Sequence, residues 1–498
     1  MTMKPLSRLS VLAFALLAGC SFAPHYARPT LATPADWKPV EGWQTANPSN
    51  GAPRGDWWTL FGDPMLADLV GRADAHNQTV AQAAATWRQA HAATREARAS
   101  LFPTVTADGS VTHTYTGGSR TVVSGGVTSG GGANHTSNNY AVTLGASWAP
   151  DLFGATRNTV SNAKATEQAR LADLADARLA LHGELATDYL SLRAADAQIA
   201  SLAATVEAYR RSLQIATNQY DAGIAIHSDV YQGQSQLASA QSSLEGEKRT
   251  RAQFETAIAV LIGENPASFT LPSLGTTWAP VTPDVPAVVP STLLERRPDI
   301  ASAERAVAAA NAEIGVAKAA FFPTVSLSSD GGFNNGSLAG LFTSAASLWS
   351  LGATATETIL DFGARSAKVQ QARAAYDAAV ANYRQLALTA FQDVQDNLVA
   401  ERILARQEDL LRQASIAADK SEASIRSQYK AGIVVYTDVV TAQATALSAR
   451  QSLIQGQLDR QNAAVALIQA LGGGWQQADL TNGAEAANAA AIRKSQQP

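Results

Sequence analysis

The chain has 498 residues, of which only 16% are charged, and a formal net charge of −4. That length holds one large fold or two to three domains, and so weak an acidic balance gives no basis for a nucleic-acid partner. From Cys20 onward no run of about twenty apolar residues occurs, so a spanning helix is absent and any membrane crossing must use strands.

The first element is a leader. Lys4 and Arg8 precede the short apolar run Val11 to Leu17, and Leu17-Ala-Gly-Cys20 follows. This is a secretory signal, residues 1–19, that leaves the mature protein. Leu17-Ala-Gly-Cys20 resembles a bacterial lipobox, which implies cleavage before Cys20 and lipid on its thiol and amine; the alternative is an ordinary signal with a cysteine at its cleavage site. Ser21, rather than Asp, resembles the address of an outer-membrane lipoprotein. Cys20 is the only cysteine, so there is no disulfide framework. Residues 20–62 are rich in proline and read as an extended segment.

Beyond this the chain reads as two repeats. Residues 63–265 form the first and 291–473 the second, joined by a proline-rich linker at 266–290 and followed by a tail at 474–498. No proline falls between Asp151 and Asn265 or between Thr324 and Gln497, and both tracts are rich in helix-favouring Ala, Gln, Leu and Arg. Val369, Ala372, Tyr376, Val380, Tyr383, Ala387, Phe391, Val394 and Leu398 step by three or four, the helical period. Ala155 to Tyr220 reads as one rod, roughly 100 Å long at 1.5 Å per residue. Rods of that length with alanine-rich seams indicate a coiled-coil-like barrel or bundle.

Four segments alternate instead. Val105, Ala107, Val111 and Tyr115 share one face, against Thr104, Thr106, Asp108, Ser110, Thr112 and Thr114. Tyr140, Val142, Leu144, Ala146 and Trp148 share another, as do Val325, Leu327 and Phe333, and then Trp349, Leu351, Ala353, Ala355 and Ile359. One apolar and one small-polar face suits strands between lipid and a watery lumen, or a sheet half-buried in a soluble domain. The segments form two hairpins, about 104–149 and 324–361, one per repeat. Four strands cannot close a barrel, and lipid does not tolerate an open edge; at about eight strands or more, closure needs two or more copies.

Each repeat contains one conspicuous turn. Gln219-Tyr-Asp-Ala-Gly-Ile224 with Asp229 recurs as Gln428-Tyr-Lys-Ala-Gly-Ile433 with Asp438, at a shift of 209. The motif Leu101-Phe-Pro-Thr-Val105 recurs as Phe321-Phe-Pro-Thr-Val325 at a shift of 220. In each turn Gly223 or Gly432 ends one helix, and Ser228-Asp229 or Thr437-Asp438 offers side-chain oxygens to start the next.

Leu294-Glu-Arg-Arg-Pro-Asp-Ile300, Ala303-Glu304, Ala309-Ala-Asn-Ala-Glu-Ile-Gly315 and Phe321-Phe-Pro323, with Trp57-Trp58, Phe61 and Asp63-Pro64, resemble the TolC-like outer-membrane efflux factors, in their lipoprotein, NodT-type branch. The resemblance implies a mainly α fold with a membrane β-barrel. Three protomers would each give four strands to a twelve-stranded barrel, continued by a long periplasmic α-helical barrel. It implies an exit duct in the outer membrane, lipid-anchored and reaching into the periplasm. Its partners would be a periplasmic adaptor and an inner-membrane transporter, often of the resistance–nodulation–division class. In such a homotrimer Asp229 and Asp438 would ring the periplasmic mouth, where acidic rings favour cations. Each also reads as a first-turn acid of its helix. Gly223, Ile224, Gly432 and Ile433 are candidate adaptor contacts, while Thr441 and Val434 stand where the family can carry an aspartate and an inter-subunit arginine. Arg296, Arg297 and Asp299 read as structural braces at the start of a helix.

No catalytic, metal or cofactor site is legible beyond the lipid on Cys20. The seven histidines lack metal-ligand spacing, and there is no nucleophile elbow or P-loop. Two alternatives stand beside the efflux duct: an exit channel for type I protein secretion, and a non-conducting, lipid-anchored coiled-coil tether.

Overall fold

The computed structural model describes residues 22–31, 56–117, 135–275, 279–283, 285 and 296–475. The leader with Cys20, most of the proline-rich opening, part of the inter-repeat linker and nearly all of the tail lie outside these residues.

The described elements are helices α1 (Pro64–His76) and α2 (Gln78–Ala99), strands β1 (Thr104–Thr116) and β2 (His135–Trp148), helices α3 (Ala155–Asp221), α4 (His227–Leu261) and α5 (Pro298–Ala319), strands β3 (Thr324–Asn335) and β4 (Ser347–Thr356), and helices α6 (Ala364–Lys430) and α7 (Tyr436–Ala470). The duplication is reproduced in length and position. Helices α3 and α6 each have 67 residues, α4 and α7 each have 35, and α2 and α5 each have 22. The expected rod from Ala155 to Tyr220 is one unbroken helix, α3, since no proline in it removes a backbone donor or clashes with the preceding turn. No described helix is long and apolar enough to cross a membrane.

Contacts group the chain into two compact units, and each draws on both repeats. One comprises residues 1–28, 89–167 and 305–380. It contains a single antiparallel sheet in the order β1-β2-β3-β4. Its register places all four alternating sets on one face: Val105 opposite Ala146, Val142 opposite Phe333, Trp148 opposite Leu327, and Leu327 opposite Ala353. That face is apolar yet exposed, with Trp349 at 79% and Leu351 at 74%. The other face carries Thr106, Gly145, Ser328, Asp330, Ser350 and Gly352. In this unit Ile314 and Ala317 of α5 pack with Val369, Ala372 and Tyr376 of α6, which belong to the expected helical stripe.

Two strand boundaries differ from the sequence reading. Strand β2 begins at His135, several residues before Tyr140, because Thr112 to Thr116 continue the ladder with polar partners. Strand β4 ends at Thr356, so Ile359 is not part of it. Thr356 pairs with Thr324, the first residue after Pro323, and a proline has no N–H with which to extend the ladder.

The other unit comprises residues 29–88, 168–304 and 381–498. Its core joins Trp57 and Phe61 to Leu66 and Leu69 of α1, Leu185 and Tyr189 of α3, Ile258 of α4 and Ile468 of α7. Phe269 and Leu271, from the start of the linker, are buried in the same core. A buried charge network holds that segment. Asp196 accepts from Arg251 Nε at 2.7 Å and from Arg193 Nη1 at 3.1 Å. Arg193 and Arg251 each also donate to a linker carbonyl, of Pro272 and Leu271 respectively, at 2.7 Å. Burial alone would raise the Asp196 pKa, but the hydrogen bonds from Arg251 and Ser273 outweigh it and hold the carboxyl below its usual range.

Candidate functional site

Both turns have the same backbone. Gly223 and Gly432 adopt φ of 72° and 74°, the left-handed conformation that glycine enters without a Cβ clash. The N–H of Gly223 reaches Tyr220 O at 2.8 Å and that of Ile224 reaches Gln219 O at 2.8 Å. The second turn repeats this with Gly432 to Tyr429 O and Ile433 to Gln428 O, both at 3.0 Å. This pairing closes the helix with a Schellman-type cap. Ile224 and Ile433 project outward, 77% and 71% exposed.

The helix starts depart from the expected capping. The N-cap residues are Ile226 and Val435, in extended conformation, and neither α4 nor α7 has a side-chain cap bond. The glycine turn sets the entry two residues before Ser228 and Thr437, so both lie inside their helices. Asp229 and Asp438 occupy the third position of the first turn, where a carboxylate interacts favourably with the helix dipole. Asp229 is half-buried and Asp438 exposed.

A polar seam joins the two turns within the chain, and the sequence reading did not find it. Tyr429 Oη donates to Gln219 Oε1 at 2.5 Å, and Gln443 Nε2 donates to Ser212 Oγ at 3.0 Å in a buried position. Tyr436 is buried against Ala216 and beside Tyr429, their ring centroids 5.6 Å apart. Burial, with the nearby Tyr429, Asp229 and Tyr209, pushes the Tyr436 phenol up to about 12. In the first turn, at the matching place, His227 instead stacks between Tyr220 and Tyr231 at 4.6 and 4.3 Å. The Thr441 hydroxyl donates within its own helix, to Thr437 O at 2.9 Å.

The Arg-Arg-Pro-Asp stretch is a brace. Pro298 is the first residue of α5, and Asp299 accepts from the N–H of Ile300 at 2.8 Å. Arg297 grips Asp299 through two nitrogens, at 3.1 and 2.7 Å, and donates to Asp393 of α6 at 3.2 Å. Asp176 lies near these charges. Burial, then Asp299, raises its pKa to about 6, although Arg297 opposes the shift. A carboxyl raised in the folded state binds its proton more tightly there than in the unfolded chain, so its ionisation removes stability as pH rises from about 4 to 6. Asp176→Asn is therefore expected to raise the urea midpoint at pH 7.5 and leave it unchanged at pH 4; unfolding curves of both proteins at the two pH values check this.

Among the described residues no cluster of three or more His, Cys, Asp or Glu side chains is placed to hold a metal ion.

The comparisons agree with this architecture. The model of the outer membrane efflux protein family matches residues 69–264 and 289–473. The solvent efflux pump outer membrane protein SrpC of Pseudomonas putida is 33% identical over 475 residues, covering 94% of this chain and 98% of that protein. The pyoverdine export outer membrane protein OpmQ of Pseudomonas aeruginosa is 32% identical over 494 residues, covering 96% and 98%. Among solved structures, the outer-membrane channel OprN superposes with a TM-score of 0.79 at 28% identity, over 92% of this chain and all of that one. The open state of the Neisseria gonorrhoeae MtrE outer membrane channel gives 0.77 at 28%, over 92% and 99%. With helices and strands in duplicate, glycine turns at matching positions, and family-wide similarity over nearly its whole length, this chain belongs to the outer membrane efflux protein family.

Proposed function

We propose that the chain acts as a homotrimer, each protomer giving four strands to a twelve-stranded outer-membrane barrel. The observation that carries this reading is the open sheet. Among the described residues β1 pairs only with β2 and β4 only with β3, and the face bearing Trp349 and Leu351 is apolar and uncovered. Such a sheet leaves backbone donors and acceptors unsatisfied at both edges, which lipid penalises by several kcal/mol per group. Closure by copies of the same chain satisfies them. The long helices would extend the duct through the periplasm. The duct moves its cargo passively and performs no chemical step.

The partners of the duct are a periplasmic adaptor and an inner-membrane transporter of the resistance–nodulation–division class. The adaptor docks on the exposed turn residues Gly223, Ile224, Gly432 and Ile433. Asp229 and Asp438 ring the aperture and set its preference for cations. Cys20 carries the lipid anchor. Small organic molecules are the cargo, a reading supported by the solvent and pyoverdine export named for two relatives.

Native mass spectrometry in detergent tests the assembly. Three copies, with gel migration that shifts on heating as folded barrels do, support the trimeric duct. A monomer or dimer without heat-modifiable migration contradicts it and leaves a tether.

A further inference from the structure

Along α3, Ser201, Ala204, Thr205 and Ala208 recur at the helical period, so small side chains form one stripe. With the small Ala423 of α6, this stripe borders a cavity of about 350 Å³. Such a volume falls within the range of small-molecule sites, roughly 300–1,000 Å³. Longer polar side chains edge the cavity: Tyr209 of α3, Asp419, Glu422 and Arg426 of α6, and Gln443 and Arg450 of α7.

The polar groups around this cavity are unevenly satisfied. Arg450 engages both carboxylates, donating through Nε to Asp419 Oδ1 at 2.7 Å and through Nη2 to Glu422 Oε2 at 2.9 Å. Donors are left over among the described residues. Arg426 Nη1 stands 3.8 Å from Glu422 Oε1, an ion pair too long for a hydrogen bond. Ser201 Oγ is buried and has no partner. Tyr209 Oη accepts from Gln236 Nε2 at 3.0 Å, and its own proton has no acceptor. Burial raises the Tyr209 phenol above its ordinary range, so that proton stays in place. A buried donor without an acceptor costs free energy, and an acceptor-rich ligand would recover it.

We propose that this cavity binds a small organic anion, an elongated carboxylate. Its carboxylate pairs with Arg426 and accepts from Tyr209, its body lies along Ala204, Ala208 and Ala423, and a polar group at its far end meets Ser201. Glu422 stands near both Arg426 and Tyr209, which puts those two donors within reach of one ligand group. Ser201 lies eight residues from Tyr209 on α3, about 12 Å along the helix axis, so no single group reaches both and the ligand must be long. Charge favours an anion over a cation. Segments 201–217, 419–430 and 443–450 carry six Arg and Lys against three Asp and Glu, a positive excess in a chain of net charge −4, and such a local field attracts anions. The duplication argues against a purely structural set. A shift of 209 maps Asp419, Glu422, Arg426 and Arg450 onto Arg210, Leu213, Thr217 and Gln241, so the helix packing common to both repeats is made without them. The site uses none of the residues assigned to the aperture or to the adaptor.

The probe is 4-hydroxycinnamate, which has a carboxylate at one end and a hydroxyl at the other. Equilibrium dialysis against the purified full-length protein in detergent measures its affinity. Saturable binding is expected, weaker by about tenfold or more for the uncharged methyl ester and in Arg426→Gln, as loss of a charge-assisted hydrogen bond implies. Arg210→Gln removes the same charge outside the cavity and should change the affinity by less than about twofold, because exposed charges are screened. Ser201→Ala should weaken binding of 4-hydroxycinnamate several-fold and leave that of cinnamate, which lacks the far hydroxyl, unchanged. Ala208→Leu fills the slot and should abolish binding of both. Far-ultraviolet circular dichroism checks that each variant is folded, and the comparison of acid with ester needs no variant at all. No saturable binding by the wild type would overturn the site. Equal affinity for acid and ester would overturn it as apolar partitioning, and equal losses in Arg426→Gln and Arg210→Gln would overturn it as general charge attraction.

Discussion

Asp196→Ala is expected to lower the unfolding free energy by about 3–5 kcal/mol, the cost of removing one partner from a buried ion pair. The Asp196 side chain is fully buried and that of Arg193 is 1% exposed. Without the carboxylate, Arg193 keeps its bond to Pro272 O but loses the anion it pairs with. Arg251 retains Glu255 at 3.2 Å, which limits the loss on that side. The linker segment loses one of its anchors at the same time, because Asp196 also accepts from the N–H of Leu274 at 3.3 Å. Glu207→Ala, which removes an exposed i,i+3 partner of Arg210, should cost less than about 1 kcal/mol. Urea unfolding followed by far-ultraviolet circular dichroism compares the two. Equal, small losses would show that the network contributes little to holding the linker on α3 and α4.

Leu351→Arg and Ser350→Arg are neighbours on β4 with opposite expected outcomes. Leu351 shares the exposed apolar face, opposite Ser329, while Ser350 faces the other way, opposite Asp330. If the apolar face meets lipid, an arginine at Leu351 costs about 2–4 kcal/mol near the bilayer midplane, and the yield of heat-modifiable oligomer should collapse. An arginine at Ser350 would stand in the watery lumen, 3.4 Å being the present distance from Ser350 Oγ to Asp330 Oδ2. It should leave the oligomer intact and shift its ion preference towards anions. Collapse in both variants, or only in Ser350→Arg, would reverse the assignment of faces.

These elements were legible to different degrees, for physical reasons. The strand faces could be read because a period of two leaves one way for Val105, Leu144, Leu327 and Leu351 to share a side, and the register puts them there. The rods could be read from the absence of proline, and the duplication from two constant shifts, 209 and 220, which the helix ends reproduce. The helix starts were misread because Ser228 and Thr437 are good caps by residue type, whereas the turn geometry gives that place to Ile226 and Val435. The Asp196 network was invisible because, beside the neighbouring Arg193, its partners Arg251 and Leu274 lie 55 and 78 residues away and no periodicity links them. The seam of Tyr436, Gln443 and Ser212 was missed although the signal existed. At Tyr436 the repeats differ in kind, a buried phenol answering to an exposed His227, and that difference accompanies different neighbours.

The most direct measurement is unitary conductance of the purified protein in planar bilayers, wild type beside Asp229→Ala/Asp438→Ala. If acidic side chains at the repeated turns form the constriction, the steps are small and cation-selective in the wild type and grow and lose selectivity in the double variant. Equal steps in both would reduce Asp229 and Asp438 to first-turn acids of α4 and α7. No steps from protein shown by its heat-modifiable migration to be folded would contradict the conducting duct itself.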